Sequence, residues 1–391
     1  MAMGKERQKE EQLRIRAIQL YQQGWKVSRI CLTLDRSRKW FYKWLWRWKN
    51  NDSDWFIEHS RAPKAPGKQI SSEIEELIID IRKQLIENPF MQYGPQAIYY
   101  TMIQKGLAPP PVITIARILK RNGLTRNKKR GTYICKGKEY AYEYIGCQQM
   151  DFIGPRYLSS KERFYFHSLI CCDTHWAQSL VFDSQVAENA CYALINFWQI
   201  AGIPDFLQMD NYISFWGSLR DARSIGKVIR LCLLQKVTPV FIPVKEPWRN
   251  GIVEHYNKTM QNAVIGALNF KSISELEEST AQFCKTHNEA HHYSTQEGMT
   301  PRQRMQYLNY PYQLLKQDYS LPERKLPLEE GEIHIIRFIR SDLKFHLFGM
   351  SFSVPEKVKY EYVLGVVITH EHRLVIFKDQ QYITEFPFIL Y

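Results

Sequence analysis

The stretch Pro247-Trp-Arg-Asn-Gly-Ile-Val-Glu254-His-Tyr-Asn-Lys-Thr259 sets a carboxylate at the start of a helix. Pro247, Asn250 and Gly251 are turn residues, and the chain from Ile252 to Asn262 then continues without a helix breaker. The pattern therefore predicts Glu254 in a first helical turn. A lone acid at such a position also has a purely structural explanation, because the positive end of the helix dipole favours a carboxylate.

Short apolar runs upstream of this stretch predict a mixed α/β core. The runs predict strands over 147–152, 163–172, 177–182, 206–209 and 238–242, and a helix over 186–201 that ends at Gly202. Three strands, a helix, a strand, a helix, a strand and a helix is the order of the ribonuclease H-like fold. The first and fourth strands are neighbours in that order, so Asp151 and Asp210, which close those two runs, are expected to lie near each other.

Two aspartates and a glutamate from separate segments can form a pocket of hard oxygen ligands. Such a pocket suits Mg²⁺ or Mn²⁺. Two such ions about 4 Å apart can activate an attacking oxygen and stabilise the leaving oxygen of a phosphodiester. No histidine or cysteine nucleophile is then required.

The composition favours a folded protein with several cores. The chain has 391 residues, of which 45% are hydrophobic and 14% aromatic. It has no uncharged apolar window of membrane-spanning length and its N-terminus is polar, so we expect no membrane span, no signal peptide and a cytoplasmic location. The eight cysteines contain no C-x-x-C pair, which favours buried free thiols over a zinc site.

The positive charge is concentrated in the N-terminal third. Residues 1–146 hold 28 lysines and arginines against 14 acids, whereas the remaining residues hold 25 against 26. This asymmetry predicts a polyanion partner, and nucleic acid is the usual one.

Three short helices, over 13–24, 27–34 and 37–48, predict a helix-turn-helix domain within residues 1–59, with Ser37 as the N-cap of the third helix. The third helix interleaves cations with six aromatic residues, so one face can pack while the other meets DNA phosphates. The alternative is an amphipathic helix whose basic face is only solvated. The cations expected to bind DNA are Arg38, Lys39, Lys43 and Arg47.

Further basic and helical segments follow. Residues 60–68 are rich in proline and cations and predict a linker along DNA, with Arg61 and Lys64 as contacts. Residues 69–124 predict a second helix-turn-helix-like unit, in which Pro95 begins the middle helix. Residues 125–146 form a basic linker, in which Lys128, Lys129 and Arg130 are expected to bind DNA.

The C-terminal segment has a pattern of its own. Residues 333–390 alternate through five or six short strands separated by Gly349, Gly365 and Asp379. This pattern predicts a small β-barrel over 325–391, after a catalytic core over 147–310.

The acids and their neighbours carry a family resemblance. The chain is similar to a DDE transposase of the bacterial insertion-sequence group, whose core is shared with retroviral integrases, and with the helical units and the terminal strands the likeness covers nearly the whole chain. The matching residues are Asp151 with Gly154-Pro155, Gly202-Ile203-Pro204 leading to Asp210-Asn211, Pro247 with Asn250-Gly251 and Val253-Glu254, and the trailing Asn288, His291, His292, Gly298 and Thr300-Pro301.

The resemblance implies that Asp151, Asp210 and Glu254 are catalytic and bind two Mg²⁺ or Mn²⁺ ions. It implies hydrolysis of one strand at a transposon end and joining of the freed 3′-hydroxyl to a target. The implied partners are double-stranded DNA and further copies of the chain, at the nucleoid. Asp173 resembles an acid that binds no metal in the family, and Asp205 and Asp221 are expected to be loop acids.

The chain also departs from the family. Tyr212-Ile213 stand where relatives usually have glycine, and the 43 residues between Asp210 and Glu254 exceed the usual gap, with the excess expected at 217–224. His255 and Gln261 replace frequent cations, so Lys258, one turn beyond Glu254, is expected to contact a phosphate.

These departures leave open an alternative: a catalytically degenerate DNA-binding copy or a repressor of its own element. A ribonuclease H-type nuclease is a third possibility, which two DNA-binding units ahead of the core disfavour.

Overall fold

The computed structural model describes residues 2–50, 53–58, 70–125, 142–217, 223–309 and 312–391, with side chains from residue 8 onward. The chain divides into two compact units, Met1–Ser71 and Ser72–Tyr391.

The first unit contains three helices around a small apolar core. Ala17, Ile30 and Phe41, one residue from each helix, are fully buried there. Ser37 caps the third helix as predicted, because its hydroxyl accepts the N–H of Trp40 at 3.1 Å. The first helix begins at Ala2, whereas the sequence predicted that it begins at residue 13. The helices are α1 (Ala2–Gln22), α2 (Val27–Thr33) and α3 (Arg38–Lys49).

The second unit begins with three further helices, α4 (Ser72–Glu87), α5 (Pro95–Gln104) and α6 (Val112–Arg121). Pro95 occupies the first turn of α5, where a missing N–H costs nothing. These helices pack on the rest of the unit, since the Tyr100 ring stacks on His292 with centroids 4.0 Å apart. His291 Nε2 also donates to the Phe90 carbonyl at 2.7 Å.

A mixed sheet forms the centre of the second unit. Its first five strands are β1 (Cys147–Tyr157), β2 (Arg163–Cys171), β3 (Ala177–Phe182), β4 (Phe206–Met209) and β5 (Thr238–Phe241). The strands β1, β2 and β3 form an antiparallel meander, and β4 lies parallel between β1 and β5. The predicted pairing of the first and fourth strands is therefore confirmed.

Helices cover both faces of this sheet. They are α7 (Ala187–Ala201), α8 (Ile213–Trp216), α9 (Lys227–Leu234), α10 (Gly251–Ala263), α11 (Ile273–Ala290) and α12 (Pro301–Tyr307). On one face Met150 and Leu207 pack with residues of α7 and α9. On the other face Ile153 and Phe166 pack with residues of α10 and α11. Because successive side chains of a strand point to opposite faces of the sheet, the sheet separates two apolar cores.

The C-terminal strands correct one expectation. They are β6 (Glu332–Phe338), β7 (Lys344–Leu347), β8 (Met350–Ser353), β9 (Tyr362–Ile368), β10 (Arg373–Lys378) and β11 (Gln381–Pro387). Four of them join the core in one sheet of order β11-β10-β9-β6-β5-β4-β1-β2-β3, and β7 and β8 form a separate hairpin. The predicted small barrel is not confirmed, since no closed barrel is found among the described strands. Short alternating strands suit a barrel and an open sheet equally, and only the parallel pairing of β6 with β5 decides between them.

Candidate active site

Asp151 and Asp210 lie side by side at the same edge of the sheet. Gln149 of β1 is paired in parallel register with Gln208 of β4, and each aspartate follows two residues later. Neighbouring strands are about 4.8 Å apart, so the two carboxylates share one small region. Each aspartate is the last residue of the same tripeptide, Gln-Met-Asp.

Asp151 is held by two hydrogen bonds. Its Oδ1 accepts the Phe152 N–H at 2.9 Å, and its Oδ2 accepts Nδ2 of the buried Asn257 at 2.8 Å. Burial, together with the neighbouring charges of Asp210 and Glu254, raises the pKa of Asp151 to about 7, against the opposing effect of the two hydrogen bonds. The charges of both other acids therefore act on Asp151.

Asp210 begins a turn that accommodates the unusual Tyr212. The carboxylate Oδ1 accepts the Tyr212 N–H at 2.9 Å. The Tyr212 ring packs edge-on against Phe152, with centroids 5.7 Å apart. Burial raises the pKa of Asp210 as well. The bulky residue therefore packs beside the acids without displacing the Asp210 turn.

Glu254 lies in the first turn of α10, as the sequence predicted. Burial raises its pKa. The helix follows a 3₁₀ turn over Pro247–Asn250, so the turn residues of the opening stretch do end one element before the next begins.

Buried amides from both strands fix the start of α10. Oε1 of Gln149 accepts the Val253 N–H at 3.0 Å, and Nε2 of Gln208 donates to the Arg249 carbonyl at 2.9 Å. Asn250 is also buried and donates to the Met150 carbonyl at 3.0 Å. These bonds tie the helix that carries Glu254 directly to the strands that carry Asp151 and Asp210. Sequence reasoning missed the two glutamines, although the repeated Gln-Met-Asp was a visible signal.

The C-terminal strands hold the loop after Asp210. Arg337 of β6 donates from Nη2 to Asn211 Oδ1 at 2.7 Å and from Nη1 to the Ile242 carbonyl at 3.1 Å. Asn211 itself donates to the same carbonyl at 2.7 Å.

A second contact supports the turn before α10. The Tyr362 hydroxyl of β9 donates to Glu246 Oε1 at 2.7 Å, and Glu246 pairs with Arg249 at 3.1 Å. The part of the chain that was predicted to be a separate barrel thus braces both acid-bearing loops.

A cavity of about 520 Å³ opens beside the acids. Asp151 and Glu254 lie in its wall, together with Asn257. Two cations complete the wall, Lys258 of α10 and Arg156 of β1. Lys258 is exposed, as a phosphate contact must be.

The three acids have the chemistry of ligands for a divalent cation. Carboxylate oxygens are the donors that Mg²⁺ and Mn²⁺ prefer, and the mutual repulsion that raises the pKa of Asp151 is what a bound cation would relieve. However, no group of three or more His, Cys, Asp or Glu side chains among the described residues is placed to hold a metal ion together. The acids fit the charge and chemistry of the ion, and their side chains are not drawn into one cluster.

The other predicted acids have structural surroundings. Asp173 accepts a hydrogen bond from the Tyr312 hydroxyl at 3.4 Å. The Asp205 backbone joins β4 to its neighbours, since its carbonyl accepts the Thr238 N–H at 2.9 Å. Asp221 lies outside the described residues, as does most of the excess expected at 217–224.

The predicted DNA-binding cations of α3 divide into two pairs. Arg38 and Lys39 are exposed. Lys43 instead pairs with Glu58 at 2.7 Å, and Arg47 donates to the Ile57 carbonyl at 2.9 Å. The remaining predicted contacts in the linkers lie outside the described residues: Arg61, Lys64, Lys128, Lys129 and Arg130.

The state of the cysteines and the character of the helices bear on two expectations from the sequence. The seven described cysteines are all free, and all except Cys172 are buried. Among the described residues, no helix combines the length and the apolar character that crossing a membrane requires.

Two family models match the chain. Residues 8–54, which contain the helices α2 and α3 and most of α1, match a homeodomain-like domain. Residues 235–301, which contain β5, α10 and α11, match an integrase core domain. The chain therefore combines a homeodomain-like domain with an integrase core domain, the two parts that the resemblance to a transposase implies. The resemblance to a DDE transposase with an integrase-type core is thereby confirmed.

Two structures of the HTLV-2 integrase catalytic core domain in complex with magnesium, a trimeric and a dimeric form, are 15% and 16% identical to the chain, with TM-scores of 0.32 and 0.31. Each match covers 40% of this chain and 93% of that chain. No curated protein matches the chain in sequence.

Proposed function

We propose that the protein is a DNA transposase that cuts DNA at the ends of its own element and joins them to a target. The observation that carries the proposal is the parallel register of β1 and β4, which sets Asp151 and Asp210 side by side below the helix that carries Glu254. The homeodomain-like domain supports binding to the terminal repeats, and the integrase core domain supports polynucleotidyl transfer.

Each acid has a defined task in this proposal. Asp151, Asp210 and Glu254 bind Mg²⁺ or Mn²⁺, with two ions per site. The bound ions would polarise the scissile phosphodiester and stabilise the attacking and leaving oxygens. The chain contributes position: Asn257 orients Asp151, the Asp210 turn fixes the second acid, and Gln149 anchors the start of the helix that carries Glu254.

The proposal includes partners and location. The DNA substrates are the double-stranded transposon ends and the target. Two ends must be joined in one event, so the active form is a homo-oligomer on DNA. The protein acts in the cytoplasm, at the nucleoid.

A second candidate function is a degenerate copy or repressor that binds the ends without cutting them. One observation favours it: among the described residues, no three acids are placed together for a metal. The two candidates share DNA binding and differ only in chemistry.

The substitution Asp210→Asn separates the candidates. It keeps an oxygen for the Tyr212 N–H and removes one negative charge, so strand transfer should fall by roughly a thousandfold, because several kcal/mol of charge stabilisation depend on the bound ions. The measurement is strand transfer in vitro with the inverted repeats that flank the gene, in Mg²⁺ or Mn²⁺, beside a binding assay without metal.

Asp173→Asn is the matched control, since it removes an acid outside the proposed site and should leave transfer within a few fold. Strand transfer by Asp210→Asn at the native rate contradicts the assigned role. A native protein that binds its repeats tightly and never cuts them supports the degenerate copy.

A further inference from the structure

Arg156 lies on the same face of β1 as Asp151, which a regular strand would forbid. Side chains alternate between the two faces of a strand, so residues 151 and 156 should point to opposite sides. The pairing with β2 is irregular here. Asp151 pairs with Ser168, Ile153 with Phe166 and Arg156 with Phe164, so β1 takes three steps where β2 takes two. One extra residue is a β-bulge, and it reverses the alternation beyond it.

The bulge depends on Gly154. Its φ of 140° lies in a region that side chains rarely adopt. A Cβ there would also meet Tyr165 Cδ1 at 2.6 Å and the Phe164 carbonyl oxygen at 3.1 Å. Only glycine fits this backbone, so the sequence fixes the position of the bulge and with it the side on which Arg156 emerges.

The Arg156 guanidinium is held over α10. Its Nη2 donates to Oε1 of Gln261 at 2.9 Å, and Gln261 lies about two helical turns beyond Glu254. This bond uses one of five N–H donors, and the side chain remains exposed. Lys258, on the same helix between Glu254 and Gln261, is exposed as well. Both cations lie in the wall of the cavity that contains Asp151 and Glu254.

The charges of these two side chains have no acidic partner in the described part of the chain. Many other described cations near the sheet are paired, as Arg249 is with Glu246 at 3.1 Å and Arg373 with Glu385 at 2.7 Å. No ion pair to Arg156 or Lys258 is formed within the described ranges. Two exposed cations without an acidic partner among the described residues lie opposite half-buried carboxylates, so one side of the cavity is attractive to an anion.

We infer that Arg156 and Lys258 form a phosphate-binding pair for the DNA strand whose phosphodiester lies at the acids. The inference rests on the proposed function and adds a residue to it: Arg156 is a substrate-positioning residue, delivered by the bulge and oriented by Gln261. Three carboxylates repel the phosphates of an approaching strand, and the two cations offset that repulsion on the flank of the site. The guanidinium fork suits two oxygens of one phosphate, and the ammonium acts as a point charge.

The test is the salt dependence of DNA binding by the full chain. Binding to a duplex with the terminal repeat is measured without divalent metal, so the result does not depend on cleavage. Each phosphate contact contributes about 0.9 to the slope of log K against log salt concentration. Arg156→Gln should lower that slope by about one and weaken binding several fold, and Lys258→Gln should do the same.

A rescue variant tests the geometry. In the Arg156→Gln background, Gln261→Lys returns a cation to the place where the guanidinium is bound, and it should restore most of the lost slope. Arg163→Gln is the matched control. Arg163 is an exposed arginine on the adjoining strand, one residue before Phe164 and therefore on the opposite face of the sheet. It should leave the slope unchanged.

An unchanged slope in Arg156→Gln overturns the inference. So does an equal loss in Arg163→Gln, which would show a general charge effect, and so does a failure of the lysine at 261 to rescue. Thermal melts establish that each variant is folded. If the variants show these slope changes and the native protein never cuts DNA, the proposed reaction is refuted and the phosphate-binding pair still stands.

Discussion

At the scale of single residues, Gln149 and Gln208 show how a strand can position a catalytic helix. Both are buried polar side chains, and both bond to backbone groups at the start of α10. A buried N–H or C=O group without a hydrogen-bond partner lowers the stability of the fold by about 1 to 3 kcal/mol. Each of these bonds therefore restricts where the helix can begin. Burial cannot be read from a lone glutamine in a sequence, and the partners are 104 and 41 residues away.

His291 illustrates a residue whose role only its surroundings reveal. The resemblance placed it in a trailing motif without a task. In the structure it is buried beside Phe283 and His287 and donates to the Phe90 carbonyl, which joins the α4–α5 connection to the core. Burial lowers its pKa to about 4.

The lowered pKa predicts acid lability. A histidine kept neutral in the folded state gains its proton more readily when unfolded, so stability is full above the unfolded pKa of about 6.5 and is lost as pH falls towards 4. His291→Gln keeps a donor for Phe90 and should remove about 2 to 3 kcal/mol of the pH dependence between pH 7 and pH 4.5. The measurement is urea unfolding at both pH values.

The exposed His372 provides the control, since His372→Gln removes an imidazole from the surface and leaves the buried residues around His291 in place. Parallel pH dependence in the native protein and His291→Gln would contradict the assignment.

At the scale of elements, the strand β1 is longer in the structure than the sequence predicted, and the difference affects the site. The sequence predicted a strand that ends at residue 152, because Gly154-Pro155 is typical of a turn. The strand continues to Tyr157 through a bulge. A glycine followed by proline marks either a turn or a bulge, and the choice depends on whether a neighbouring strand continues alongside. Here β2 does, and the continuation brings Arg156 to the acids.

The substitution Gly154→Ala should destabilise the protein by roughly 2 kcal/mol, since it combines an unfavourable φ with a close contact to Tyr165. Gly251→Ala is a matched control in the first turn of α10, where a Cβ meets nothing within 4 Å, and it should be neutral or slightly stabilising. Chemical denaturation of both variants provides the comparison. Equal effects at the two positions would show that the bulge does not require glycine.

At the scale of the whole second unit, the C-terminal strands belong to the core. Ile333 and Val363 share one apolar cluster with Leu207 and Phe241, so the cluster continues across the β5–β6 junction. The same strands supply Arg337 and Tyr362 to the acid-bearing loops. The active-site geometry therefore depends on residues more than a hundred positions beyond Asp210.

Truncation distinguishes this arrangement from a separate barrel. Removing residues 329–391 exposes β5 and strips several buried aliphatic side chains, each worth about 1.5 to 3 kcal/mol, from a domain whose total stability is about 5 to 15 kcal/mol. The fragment 1–328 should therefore not fold cooperatively, as judged by circular dichroism and limited proteolysis. Removing residues 1–71, which form the other compact unit, is the control and should leave a folded fragment. A soluble, cooperatively folding fragment 1–328 would contradict this view of the sheet.

The sequence by itself determined the helices of the first unit, the five central strands, the first-turn position of Glu254 and the pairing that sets Asp151 beside Asp210. The helices, the strands and the position of Glu254 depend on local periodicity and breakers, which are written along the chain, whereas the pairing was expected from the strand order of the ribonuclease H-like fold. Tertiary structure alone decided that the C-terminal strands extend the sheet, that Gln149 and Gln208 fix α10, and that Arg156 faces the acids. Each of these depends on which distant segment pairs with which and in what register, and a one-residue change of register exchanges the two faces of a strand.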